Sequence, residues 1–208
     1  MKIMFIVLVL TVTLGGCATP NISNDFDVSQ AERSGVVSGT ITYQGVYGGY
    51  TIHVSSIDGK SRYRLAHGTS QVINPLDAFV DEAIDPLLGK MGSAFVVEMP
   101  AGEYRIYGWQ IGVGAMDVYS SSAIDIRFKV EPKKAIYLGN FDFVVTETFM
   151  NNPSRAQVTL SDQYERDLEV IRNTAPSLTD VQVTRVFEGP MDNNQIGGQG
   201  NAKLTIMY

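Results

Sequence analysis

Residues 99–113 read MPAGEYRIYGWQIGV. Pro100-Ala101-Gly102 is a turn signature, because proline presets φ and glycine tolerates backbone angles that other residues resist. Residues 103–113 are rich in aromatic and β-branched side chains and have no helical period, so they read as a long strand entered from a tight turn. Along an unbroken strand the side chains alternate, which places Tyr104 opposite Tyr107 and Trp109. One set then fills a core, and the other stands free. Two readings of these aromatics stay open: ordinary core and cross-strand packing, or an exposed platform of Tyr104, Tyr107 and Trp109 for a glycan or a protein.

The neighbouring segments repeat the pattern. GVVSGTITYQG (35–45) alternates Val37, Ile41 and Tyr43 with polar residues, and GGYTIHVSS (48–56) alternates Tyr50, Ile52 and Val54. Asp58-Gly59-Lys60 is a hairpin turn leading into SRYRLA (61–66). SAFVVEM lies before residues 99–113 in the chain, and AIDIRFKVEP, KAIYLGNFDFVVTET and RAQVTLS lie after them. TDVQVTRVFEG adds a further strand pattern. Two segments have a helical period instead. In NPLDAFVDEAIDPLLGK (74–90), Asn74 suits an N-cap, Pro75 the first helical position, and Leu76, Phe79, Val80, Ala83, Ile84 and Leu87 one face. In SDQYERDLEVIRNTAP (161–176), Asp162 with Glu165 makes a capping box, and Tyr164, Leu168 and Ile171 form a buried stripe. About eight short strands bounded by Gly and Pro turns, with two short helices, predict a mainly β fold: an antiparallel β-sandwich over residues 35–188. PMDNNQIGGQGN (190–201) is poor in apolar residues and reads as a loop. A C-terminal strand over AKLTIMY completes the segment 189–208.

The chain has 208 residues, 44% hydrophobic and 18% charged, enough apolar material for one packed domain with appendages. The net charge is -6, so as a whole the chain repels phosphate backbones, and nucleic acid is not an expected partner.

The first seventeen residues read MKIMFIVLVLTVTLGGC. Lys2, an apolar run of roughly twelve residues and small residues before Cys17 fit the plan of a secretory signal peptide, and a bilayer span needs about twenty. Cys17 is the only cysteine. Leu14-Gly15-Gly16-Cys17 resembles the lipobox of bacterial lipoproteins. That resemblance implies removal of residues 1–16, acylation of Cys17 and anchorage to a lipid membrane of the cell envelope. Ala18 after the cysteine implies the outer membrane. Residues 17–34 then read as a flexible tether.

MPAGEYRIYGW (99–109) also resembles the turn and strand of carboxypeptidase-regulatory-like, or transthyretin-like, sandwiches. FKVEPKKAIYLGNFDF (128–143) is similar to the next strand pair in uncharacterised envelope lipoproteins of that kind, with Lys133 where the turn glycine usually stands. DQYERDLEVIRNTAPSL resembles their terminal helix. The resemblance implies a sandwich fold and no catalytic residues.

Chemistry is sparse. The two histidines, His53 and His67, lie in a strand pattern and in the Gly-containing stretch AHGTS. No nucleophile elbow, P-loop or dinucleotide fingerprint is present, and no metal or cofactor is expected. Asp77, Asp81 and Asp85 share a helix face, but a straight line of carboxylates lacks the oxygen cage that calcium takes. The reading is a non-catalytic module that binds or scaffolds an envelope protein. The alternative is a carbohydrate or small-ligand binder that uses Trp109 and its tyrosines.

Overall fold

The computed structural model describes residues 18–45, 48–67, 84–113, 116–150, 152–187 and 195–204. Cys17 lies outside them, as does the helix expected from Asn74, from residue 74 to residue 83. From Asp85 the chain forms a turn closed by backbone bonds between Asp85 and Lys90.

Among the described residues, eleven strands form one sheet: β1 (Ser34–Gln44), β2 (Gly49–Ser56), β3 (Arg62–His67), β4 (Met91–Pro100), β5 (Gly102–Val113), β6 (Met116–Tyr119), β7 (Ile126–Val130), β8 (Ala135–Phe149), β9 (Asn152–Ser161), β10 (Val183–Arg185) and β11 (Gln195–Leu204). The order is β3-β2-β5-β6-β11-β9-β8-β1-β4, with β7 added to β5 and β10 to β8. The sheet nearly closes on itself, so a single barrel-like sheet stands where two facing sheets were expected. Curling lets one continuous sheet enclose its own apolar face. Pairing is antiparallel except where β8 meets β1 and β10.

Alternation holds the interior. Val37, Ile41, Tyr43, Ile52, Val54, Leu65, Ile106, Phe141, Phe143, Val158 and Leu160 are among the side chains of one inner cluster. A second cluster lies outside the sheet, beneath the single α-helix found among the described residues, α1 (Tyr164–Thr174). There Val36, Val96, Ala135 and Tyr137 meet Val170, Ile171 and Leu178. This explains β1, whose middle nine residues are all buried: its inner face fills the barrel and its outer face lies in the layer beneath α1. Ser38, Thr40 and Thr42 on that outer face are satisfied by hydrogen bonds to Ile136, Asp167, Asn140 and Asp142.

The segment read as a tether is held against the domain from Thr19 onward. The Thr19 N–H donates to the Arg64 carbonyl (3.0 Å), and the Arg64 N–H donates to Thr19 Oγ1 (3.1 Å). The Ile22 N–H donates to the Val96 carbonyl, and the Val96 N–H to Asn21 Oδ1, both at 2.8 Å. Arg64 is on β3 and Val96 on β4, the two ends of the sheet. Residues 19–22 therefore bridge the remaining gap, and Ile22 and Val28 are buried in the outer cluster.

Candidate functional site

Tyr104, Tyr107 and Trp109 divide differently from simple alternation. Opposite His53 stands Gly108, and opposite Val54 stands Ile106, so Tyr107 is an extra residue in β5. This β-bulge shifts the side-chain parity. Tyr104 and Trp109 both point inward, and Tyr107 alone points out. Trp109 is completely buried, its Nε1 donating to the Ile196 carbonyl at 2.8 Å. A Cβ at Gly200 would come within 2.2 Å of the indole, and one at Gly197 within 2.7 Å. That contact corrects the loop reading of residues 190–201: from Gln195 the glycine-rich segment is strand β11, and its glycines make the seat for Trp109. Trp109 is thus a core residue and offers no surface to a ligand.

Tyr104 is nearly as buried, stacked on Phe128 and edge-on to Tyr63, with its hydroxyl donating to the Pro100 carbonyl at 2.7 Å. Burial pushes its phenol well above the ordinary range. Its ring also lines an open cavity of about 420 Å³ at the end of the barrel, between the β2–β3 turn and the corner at Pro100–Gly102. Asp58, Lys60 and Glu103 give this cavity a charged rim. Tyr107 stacks on His53 at 5.7 Å on the outer surface.

Both histidines have structural partners. His53 Nε2 lies 3.2 Å from Gln110 Oε1, and Gln110 in turn donates to Asp117 at 2.8 Å. His67 Nδ1 lies 2.7 Å from Ser93 Oγ, a contact between the two edge strands. Burial holds both imidazoles below their ordinary value, and the Arg64 charge adds to this at His53. Among the described residues no group of three His, Cys, Asp or Glu side chains could hold a metal ion.

The densest polar cluster lies under α1. The Asp167 carboxylate is fully buried and accepts from Thr40 Oγ1 and Tyr137 Oη, each at 2.6 Å. It also accepts from Arg166 Nε at 2.8 Å. Asn140 links Thr40 to Thr42, and Asp142 links Thr42 to Lys90. Burial and the Asp167 charge raise the Tyr137 phenol. Through Thr40 of β1 and Tyr137 of β8 the cluster fastens the helix to the sheet. Asp162 and Arg166, four residues apart at the start of the helix, do not pair with each other. Arg166 turns to Asp167, and Asp162 receives Arg185 and the Tyr164 N–H.

One exposed feature escaped the sequence reading. The β8–β9 hairpin ends in Phe149 and Met150, which are 59% and 80% exposed. Met150 adopts φ 49°, the left-handed region that hairpin turns usually give to Gly or Asn. The signal available in advance was TETFMNNP, a polar stretch interrupted by two large apolar residues at a turn.

Compared with protein-family models, curated proteins and solved structures, the chain matches none.

Proposed function

We propose that this chain is a lipid-anchored protein of the bacterial cell envelope, held at the outer membrane through acylated Cys17. Its barrel serves as a non-catalytic docking module for another envelope protein. The lipobox-like Leu14-Gly15-Gly16-Cys17 supports the anchor. The observation that carries the docking role is the hairpin tip. Phe149 and Met150 are held out in water, and Met150 takes a backbone conformation that a glycine would adopt without cost. Folding alone favours neither residue there, whereas a partner pocket that receives two adjacent apolar side chains favours both.

The test is site-specific photocrosslinking in intact envelopes, using the full chain with a photoreactive residue at Phe149 or, for comparison, at exposed Glu169 of α1. A discrete adduct from position 149 that is absent from position 169 and abolished by Met150→Gly is expected. Equal labelling from both positions sinks the docking role.

A second reading, a binder of glycans or small polar ligands, is favoured by the cavity beside Tyr104. It moves the proposed contact from Trp109 to Asp58, Lys60 and Glu103 at that rim. Glycan titration should then shift the NMR signals of these residues and leave Trp109 unmoved.

A further inference from the structure

We propose that the outer face of β3, β2, β5 and β7 lies on the membrane and binds the phosphates of anionic lipid headgroups. This inference rests on the lipid-anchored reading and adds an orientation to it.

Arg62 and Arg105 both pair with Ser55 across β2, and Arg105 pairs directly with Arg127 of β7. A row of three arginines therefore crosses four strands, with Arg64 beside it on β3. Like charges placed opposite each other in a sheet are unfavourable unless something of opposite sign lies between or above them; Asp125, bonded to Arg127 and near Arg105, offsets part of this row and leaves Arg62 and Arg105 in excess. Among the described residues, the carboxylates of this face are Asp58, Glu103, Asp125 and Glu131, with Asp117 of β6 at its margin, where it accepts from Gln110. Three of them are already engaged: Asp58 by Lys60 and Asp125 by Arg127, while Glu131 holds both Lys129 and Lys134. Arg105 donates to the Ser55 hydroxyl, at 3.4 Å. The face thus carries a cationic surplus on a chain whose net charge is -6. Guanidinium groups match phosphate oxygens in bidentate geometry, and planar arrays of them suit a surface of headgroups better than a single ligand.

The position of the anchor supplies the second observation. Thr19 is hydrogen-bonded on both sides to Arg64, so the chain leaves the barrel at β3, at the margin of this face. Only Ala18 separates Thr19 from Cys17, two steps along the chain and a reach of at most about 7 Å. A lipid attached there leaves the barrel no leash, and β3 is the strand nearest the bilayer. Ile57, 42% exposed, and Tyr107, 37% exposed, flank the arginines and suit the interfacial layer that aromatic and apolar side chains occupy. The β8–β9 tip belongs to strands on the opposite side of the barrel, so the docking residues point away from the membrane.

The experiment reconstitutes the full, processed chain in vesicles of phosphatidylcholine with or without phosphatidylglycerol. A fluorophore is placed on Ile57→Cys or, on the far side, on Glu147→Cys, and its quenching by headgroup-labelled lipid is measured. Mass spectrometry of the N-terminal peptide reports acylation of Cys17 independently. With Cys17 acylated, stronger quenching at position 57 than at 147, increased by anionic lipid and lost in high salt, is expected. Each Arg→Gln change at 62, 105 or 127 should lower the docked-to-undocked ratio about fivefold. Acylated protein with equal quenching at the two positions, or no dependence on anionic lipid, overturns the orientation and leaves the anchor intact. Absence of the acyl mass overturns the anchor and the orientation with it.

Discussion

Trp109 shows how a single residue depends on its neighbours across the sheet. The indole is sealed inside the barrel and oriented by one hydrogen bond to Ile196, and Gly197 and Gly200 leave just the room it needs. Its fluorescence should be blue-shifted and almost insensitive to acrylamide until the protein unfolds, and strong quenching in the folded state would contradict this burial. Gly200→Ala would push a methyl group into the ring and toward the Tyr119 carbonyl, 2.6 Å away. Overpacking of this kind costs about 1–3 kcal/mol, to be read from urea denaturation. Lys133 is the reverse case. It adopts φ 59°, the left-handed region that favours glycine, so the turn keeps a glycine-like backbone with a lysine in place.

At the scale of elements, α1 owes its place to one buried acid. Its helical stripe covers the outer faces of β1, β4 and β8, while Asp167 answers two hydroxyls of the sheet below it and the guanidinium of Arg166 beside it on the helix. Asp167→Ala would leave Thr40, Tyr137 and Arg166 without their acceptor, a loss of about 3–5 kcal/mol. Thermal denaturation followed by circular dichroism would measure it, and a loss well under 1 kcal/mol would show that the cluster is dispensable. The β8–β9 hairpin behaves in the opposite sense. Met150→Gly relieves a left-handed methionine and should stabilise the fold by about 1 kcal/mol while removing the crosslink from position 149. A variant that is more stable yet less able to dock would separate folding from function at this tip.

The whole molecule depends on closing the gap between β3 and β4. Residues 19–22 supply backbone and side-chain bonds to both edges, and His67 reaches across to Ser93. Asn21→Ala removes the acceptor of the Val96 N–H and should cost about 1–3 kcal/mol, with faster hydrogen exchange at Val96. The two histidines add a pH dependence of known sign. Their folded pKa values lie below the ordinary 6.5, so the unfolded chain binds the proton more readily than the folded one. Their contribution is present above about pH 6.5 and is lost as the pH falls below it. The melting temperature should therefore drop between pH 7.5 and 5.5, and the drop should shrink in the double variant His53→Gln, His67→Gln. Carboxylates held low by their partners, such as Asp125 by Arg127, act only at much lower pH.

The periodicity of the chain alone determined that it would be mainly β, where most strands begin and end, and that 161–176 would hold a helix. These are local properties, set by side-chain alternation and turn chemistry that any short window contains. Local patterns do not say which edge a strand pairs with, so the single curled sheet and the parallel contact between β1 and β8 belong to tertiary structure. The same limit explains the aromatics. An extra residue at Tyr107 reverses the parity of β5, and only the pairing with His53 and Val54 reveals it. In β11 the glycines that read as a loop are required by an indole nearly ninety residues away in sequence, a contact no window can contain. Likewise Thr19 and Asn21 look like spacer until the two unpaired sheet edges they satisfy are brought together.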